Sequence, residues 1–300
     1  MKFFTISICL LFFSLQSFSQ DFSTSEYTLS NIFLKIHRDS SETNNISNNA
    51  KFITVLDSVL KIPESFFYTF SSLKIGNVIA PDNTFRILTW NLMHENGTYE
   101  NFGFLQKYDK ESKKVTVYYL TDKSDVLKNQ MQQVCSPDSW IGATYYMICQ
   151  NKYDGQTFYS LIGWDPNNTY TQKKIIEILK FDNTGLPVFG IPIIELKGKG
   201  FQKRIIFEYS SKNTMMLRYD KRKKMIAFDH LSPSDFRYTD IYEFYGPDFS
   251  IDGYKFTKGK WRYQADIDIR NKRDKFSDYL PQRLINLFRK KETNAEQLGL

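Results

Sequence analysis

The sequence predicts a mainly β fold: an antiparallel meander forming a sandwich or a strongly curved sheet, with an N-terminal helical pair and a C-terminal helix. From residue 73 onward, short runs rich in aromatic and β-branched residues alternate with turn clusters at a spacing of roughly ten residues. Before residue 64, apolar residues recur at helical spacing instead. Strand runs joined by tight turns are typical of antiparallel sheets rather than of βαβ units.

The first 20 residues have the three parts of a cleavable secretory signal. Met1 and Lys2 give a positive start, residues 3–13 form an apolar run, and Ser17 and Ser19 are the small residues that a signal peptidase accepts. The run is too short for a membrane anchor, which needs about 20 apolar residues. We therefore expect an exported protein. The periplasm is favoured over the cell surface or the medium because no sorting domain is evident at the C-terminus.

Residues 21–64 are predicted to be a helical segment packed on the sheet, and residues 65–300 a single β-rich domain. A Ser/Asn-rich stretch over residues 40–49 is expected to separate two helices, and Pro63 to end the second. Two short amphipathic helices cannot bury their apolar faces alone, so they must pack on the strands that come after them. The residues at helical spacing are Leu29, Ile32, Phe33 and Ile36 in the first helix and Ile53, Leu56, Val59 and Leu60 in the second.

Two turn signals predict hairpins. Asn96-Gly97 lies between the strand-like residues 85–93 and 98–106, and Asp154-Gly155 lies between residues 140–150 and 157–164. Further strands are expected over residues 115–120, 174–181, 204–209, 215–219, 225–228, 241–245, 254–256 and 260–269. Short helices are expected over residues 124–133 and 281–291.

Charge and composition exclude some partners. The chain carries 40 Lys+Arg and 33 Asp+Glu, a net +7, and loss of Lys2 with the signal would lower this to +6. The excess is spread out, and the basic run at residues 221–224 fits a solvated hairpin turn, so no nucleic-acid partner is expected. The basic, amphipathic residues 281–291 leave peripheral membrane contact open, although packing against the sheet is favoured.

Cys135 and Cys149 are the two cysteines expected to remain after processing. If residues 140–149 form one extended strand, its ends are about 30 Å apart at 3.3 Å per residue. The segment from residue 135 to 140 can return by only about 18 Å. The remaining gap exceeds the roughly 7 Å that a disulfide allows between α-carbons, so two buried thiols are favoured. A bend of the strand at Gly142 would bring the two thiols close enough for a disulfide.

Known catalytic patterns do not occur in the sequence, and it assigns no catalytic residue, cofactor or metal. The three histidines are His37, His94 and His230. His230 lies between Asp229 and Ser232, but neighbours in sequence are not positioned as a catalytic triad. A turn beside a strand end explains this segment equally well.

The alternative hypothesis is an enzyme that hydrolyses glycans, because such an enzyme needs only two catalytic carboxylates. Asp266 and Asp268 would share one face of the last predicted strand, about 7 Å apart. A solvated charged face is the simpler interpretation.

The sharpest local pattern places Asp248, Ser250 and Asp252 at alternating positions before Gly253, as in the first half of a calcium loop. The closing acid is missing, since Gly259 occupies the twelfth position. Asp and Asn also dominate ordinary turns, so a turn is favoured over a calcium site.

Several segments resemble a group of uncharacterised exported proteins common in Bacteroidota. The segments are FRILTW (85–90), GWD (163–165), KKIIE (173–177), FDHLSP (228–233), YGPDF (245–249), GY (253–254) and GKW (259–261). The resemblance implies export and a single β-rich unit, but the group has no established activity to carry over. Together with the 16% of aromatic residues, these observations favour a non-enzymatic envelope protein. It would bind a protein partner or a glycan through an aromatic, charged sheet face, and the glycan hydrolase is the alternative.

Overall fold

The structure is a computed structural model that describes residues 22–36 and 41–269. The predicted signal over residues 1–20, His37 and the predicted helix over residues 281–291 lie outside the described residues. The helices and strands below all belong to one compact unit that extends to Ile267.

Two helices precede the strands in the described part of the chain, which confirms the predicted helical pair. The first, α1, is helical through residues 22–36, and the second, α2, spans Glu42–Leu60. The predicted link over residues 40–49 is wrong, because α2 already begins at Glu42. The side chain of Ser41 accepts a hydrogen bond from the backbone N–H of Asn44 and so caps the helix at the start of this Ser/Asn-rich stretch.

The first sheet is an antiparallel meander in the order β1-β2-β3-β4. The predicted Asn96-Gly97 hairpin joins β2 to β3, and Gly97 adopts the left-handed conformation (φ 79°) that this turn requires. The strands are β1 Gly76–Ile79, β2 Phe85–Met93, β3 Tyr99–Asp109 and β4 Lys114–Thr121.

The second sheet has the order β11-β7-β6-β5, with β8 paired to β7. Asp154 and Gly155 both have positive φ (49° and 69°), as expected for the tight turn between β5 and β6. The strands are β5 Thr144–Tyr153, β6 Gln156–Asp165, β7 Thr171–Phe181, β8 Pro187–Phe189 and β11 Arg204–Ser210.

The third sheet has the order β10-β9-β15-β14-β13-β12 and is antiparallel except where β15 meets β9. The exposed basic residues 221–224 form the predicted turn between β12 and β13. The strands are β9 Ile194–Leu196, β10 Gly200–Gln202, β12 Leu217–Asp220, β13 Met225–Pro233, β14 Tyr245–Thr257 and β15 Lys260–Gln264.

Alternating side chains connect these elements into a stack of layers with three cores. Leu88 and Trp90 pack with the helices, whereas Phe85 and Ile87, one position out of phase, pack with the second sheet. The second sheet also has two buried faces, because Leu161 joins the core shared with the first sheet and neighbouring residues join the core shared with the third. The predicted β fold is therefore a sandwich of three sheets, with the helical pair on the outer face of the first.

Three predicted elements differ from the structure. Residues 124–133 form turns and a 3-10 helix, Gln130–Gln132, rather than an α-helix. Residues 241–245 are mostly a second 3-10 helix, Tyr242–Phe244, rather than a strand. The last strand ends at Gln264, five residues earlier than expected, because Asp266 has a left-handed backbone (φ 51°) that breaks the pairing.

Cys135 and Cys149 are both buried and free, as the sequence favoured. They lie in different cores: Cys135 between the first and second sheets and Cys149 between the second and third. In the described ranges, no helix has both the length and the apolar character needed to cross a bilayer.

Candidate functional site

An open cleft of about 630 Å³ lies where the first turn of α2 meets the β2–β3 hairpin and the chain immediately after β4. This volume falls within the roughly 300–1,000 Å³ typical of small-molecule sites. Carboxylates dominate its lining, which consists of Glu42, His94, Glu95, Asn96, Thr98, Tyr99, Glu100, Asp122, Lys123, Ser124, Asp125 and Val126. We refer to these twelve residues as the acidic cleft.

His94 links the β2–β3 hairpin to α2 in the acidic cleft. Its Nδ1 lies 2.7 Å from Oε1 of Glu42, and its Nε2 lies 3.7 Å from Oε2 of Glu100. The hairpin turn fixes the position of this histidine, since its backbone N–H donates to the carbonyl of Thr98. Glu42 is the first residue of α2, where a negative charge is favoured by the helix dipole.

Asp122 forms the floor of the cleft at the end of β4. Its Oδ1 accepts hydrogen bonds from Ser124 and from the backbone N–H of Gly142, and its Oδ2 accepts from the backbone and side chain of Asn101. Gly142 leaves room for this carboxylate, since a β-carbon there would clash with Oδ2. The local chain geometry therefore holds Asp122 in one fixed position.

The cleft is strongly acidic although the whole chain carries a net charge of +7. Its five carboxylates and one lysine give a net charge of −4 with His94 neutral. Burial raises the pKa of Glu100. The charges of Asp122 and Asp125 raise this pKa further, and His94 lowers it in part. Burial and the charge of Glu100 also raise the pKa of Tyr119 to about 12.

Such an arrangement favours cations and hydroxyl donors. Carboxylate oxygens accept hydrogen bonds, and several in one concave surface attract positive charge. Residues 22–36 and 41–269 contain no group of three or more acidic, histidine or cysteine side chains with the geometry to hold a metal ion. The many acceptors and the net negative charge of the cleft suit an organic cation that brings hydrogen-bond donors of its own.

The two acids of the predicted hydrolase pair do not share a strand face. β15 ends before either residue, and the backbone N–H of Asp266 donates to Oδ1 of Asp252. The predicted face of alternating charges at residues 266 and 268 is therefore absent.

The residues of the predicted calcium pattern instead surround a histidine in the third sheet. Oδ2 of Asp252 lies 2.7 Å from Nδ1 of His230, and Oδ2 of Asp248 lies 3.9 Å from Nε2. Asp248 also accepts hydrogen bonds from the backbone and hydroxyl of Ser250, as in an ordinary Asx turn. The partner of His230 is therefore the buried carboxylate of Asp252, 22 residues away in the sequence, rather than its neighbour Ser232.

The two most exposed aromatic rings of the described residues occupy irregular backbone positions. Phe249 is 99% exposed in a left-handed position of β14, and Phe236 is 83% exposed in a 3-10 helix. The tryptophans Trp90, Trp140 and Trp261 are all buried in the cores.

Comparisons of the chain with protein-family models, with curated proteins and with solved structures gave no match.

Proposed function

We propose that the protein is an exported binding protein that holds an amine-bearing glycan in the acidic cleft. Export follows from the secretory pattern at residues 1–20, and the envelope supplies glycans. The observation that supports an amine-bearing ligand is the net charge of −4 in a cleft of about 630 Å³. Sugar hydroxyls would donate to the carboxylates, and the amines would balance their charge.

The raised pKa of Glu100 favours a cationic ligand over a neutral one. Because burial and the neighbouring acids raise the pKa of Glu100, a positive group beside it relieves repulsion that exists in the free protein. His94 contacts Glu42 and Glu100 on one side of the cleft, and the carboxylates of Glu95 and Asp125 are left for the ligand.

The test is the affinity for the glucosamine trimer and for the N-acetylglucosamine trimer, measured by calorimetry on residues 21–300. The two sugars share their backbone and hydroxyls, and the acetyl groups of the second convert its charged amines to neutral amides. We expect the amine form to bind at least tenfold more tightly, and Glu100→Gln to remove most of that difference. Raising the salt concentration should weaken the binding, since exposed charges are screened.

Glu111→Gln is the matched control, because it removes one exposed carboxylate from the β3–β4 turn, outside the cleft. Equal affinity for the two trimers, or an equal effect of Glu111→Gln and Glu100→Gln, would contradict the proposal.

A hydrolase is the second candidate, and the raised pKa of Glu100 favours it. A carboxyl group whose pKa is raised by burial, in a cleft with other carboxylates, resembles the general acid of a glycosidase. The expected result is cleavage of the glucosamine trimer by the wild-type protein, seen by mass spectrometry, and its loss in Glu100→Gln with the fold retained by circular dichroism. Binding without any cleavage would exclude this candidate for that sugar.

A further inference from the structure

A second pocket in the third sheet is formed by an irregular pairing of β13 with β14. Asp229 pairs with Ile251 and Leu231 pairs with Pro247, so that the single residue His230 faces three residues on β14. Such bulges redirect a side chain out of the regular alternation. The irregularity places His230 at the pocket, with its side chain 46% exposed.

Asp252 determines which nitrogen of His230 carries the proton. Its carboxylate is buried and accepts hydrogen bonds from Nδ1 of His230 (2.7 Å), from the hydroxyl of Tyr263 (2.5 Å) and from the backbone N–H of Asp266 (3.1 Å). Burial and the Asp252 carboxylate raise the pKa of Tyr263, which keeps its hydroxyl protonated as a donor. Because Nδ1 donates to Asp252, Nε2 of the neutral ring presents a lone pair.

That lone pair is not used by the neighbouring acid. Oδ2 of Asp248 is itself an acceptor and lies 3.9 Å from Nε2, beyond hydrogen-bond distance. Nε2 of His230 is therefore an oriented acceptor that a bound donor can reach.

The pocket has a volume of about 240 Å³ and mostly apolar walls. At about 30 Å³ for each water-sized group, it has room for about eight non-hydrogen atoms. The walls are formed by Leu196, Ile205, Phe207, Phe228, Leu231 and Tyr254. Their aromatic rings favour a flat ligand, since stacked and edge-on rings stabilise one another beyond simple burial.

Charge around the pocket disfavours an anion. Asp229 and Asp252 line it, and Lys197 is the single cation among its lining residues and is exposed. Asp229 is already engaged, because its Oδ2 accepts from the backbone N–H of Met216 at 2.7 Å. A ligand carboxylate would face these two acids, whereas a neutral hydroxyl would not be repelled.

We propose that this pocket binds a small neutral aromatic alcohol, whose hydroxyl donates a hydrogen bond to Nε2 of His230 while its ring lies between the apolar walls. This site is separate from the acidic cleft and does not depend on the function proposed for it.

The test compares 4-methylphenol, which has eight non-hydrogen atoms, with 4-methylanisole, which lacks the donor, and with 4-methylbenzoate, which is an anion. We expect saturable binding of the phenol by NMR titration, at least tenfold tighter than that of either analogue. In protein labelled with ¹⁵N-histidine, the Nε2 resonance of neutral His230 should be that of an unprotonated nitrogen and should shift when the phenol binds.

Two variants separate the hydrogen bond from the cavity. His230→Phe keeps a ring but removes the acceptor, and Leu196→Trp fills the pocket while leaving His230 and Asp252 in place. Both should lose at least tenfold in affinity for 4-methylphenol, with folding verified by circular dichroism. Tyr170→Phe changes an exposed ring outside both pockets and should leave phenol binding unaltered.

Absence of saturable phenol binding, equal affinity for phenol and anisole, or a proton on Nε2 in neutral His230 would each overturn the proposal. Tighter binding of the benzoate would show an anion site instead and would overturn it as well.

Discussion

Replacing Arg204 by methionine is expected to lower the free energy of unfolding by about 3–5 kcal/mol. Arg204 and Glu177 pair across β11 and β7, and both side chains are fully buried. Nε and Nη2 of the arginine lie 2.7 and 2.6 Å from Oε1 of the glutamate. The other oxygen, Oε2, accepts from the hydroxyl of Tyr145 at 2.6 Å, and burial and Glu177 raise the pKa of that tyrosine well above its usual value.

The magnitude follows from the groups that the variant leaves behind. Glu177 keeps one donor, Tyr145, and remains a buried charge without a counterion. The backbone carbonyl of Gln133, which accepts from Nη1 of Arg204 at 2.9 Å, also loses its partner. Such an orphaned acceptor costs about 1–3 kcal/mol. The double variant Glu177→Leu with Arg204→Met removes both charges and should recover part of the lost stability, because apolar residues replace buried ion pairs at little cost while the carbonyl of Gln133 stays unpaired.

Urea unfolding followed by tryptophan fluorescence measures the free energy of unfolding. Trp140 reports on this core, because its Nε1 donates to the hydroxyl of Tyr145. Arg237→Met is the control: it removes an exposed ion pair to Asp235 and should change stability by less than about 0.5 kcal/mol. A loss below about 1 kcal/mol in Arg204→Met, or a double variant no more stable than the single one, would refute the reasoning.

Three further predictions concern other parts of the protein. Burial raises the pKa of Cys149 to about 12 and also raises that of Cys135, so neither thiol should react with a maleimide at pH 7 until urea unfolds the protein, as mass spectrometry would show. Because the pKa of Glu100 is raised on folding, the folded protein binds more protons than the unfolded one just above the usual glutamate pKa, and stability falls as pH rises through that window. Glu100→Gln should therefore stabilise the protein at pH 7, by less than about 1 kcal/mol for this half-exposed group, and the gain should vanish near pH 4; an unchanged midpoint at both pH values would contradict this. Phe249→Asn should raise stability by about 0.5–1 kcal/mol in urea unfolding, since asparagine tolerates the left-handed backbone (φ 71°) better than phenylalanine and the lost ring is fully exposed; a decrease would show that the ring packs in solution.

Much of the fold could be predicted from the sequence because its strongest signals are local. The turns at Asn96-Gly97 and Asp154-Gly155 require positive φ, and they mark the two hairpins correctly. The missed strands β1, β8, β9 and β10 have only three or four residues and carry too little alternation to be seen. The division into three sheets depends on which side chains pack together across the stack, and no local pattern records it.

The candidate sites were much harder to predict. Glu42, Glu100 and Asp122 come from three separate segments, and sequence reasoning missed all three as site residues. The Asp248–Asp252 pattern favoured an ordinary turn over a calcium loop, and Asp248 does form an Asx turn, but the contact of both acids with His230 was not predicted. A histidine and a carboxylate 22 residues apart become partners only once β13 and β14 pair. Their spacing in the sequence therefore could not predict the contact.

The double burial of the second sheet has a consequence for the kinetics of local opening. Side chains of β6 enter both neighbouring cores, Leu161 into one and Ile162 into the other, and Nε1 of Trp261 in the third sheet donates to Ser160 of the same strand. The amides in the middle of β6 pair with β5 and β7 and are covered by a core on either face of the sheet. Their hydrogen exchange should therefore report the global unfolding equilibrium, while the edge strands exchange through smaller, independent fluctuations.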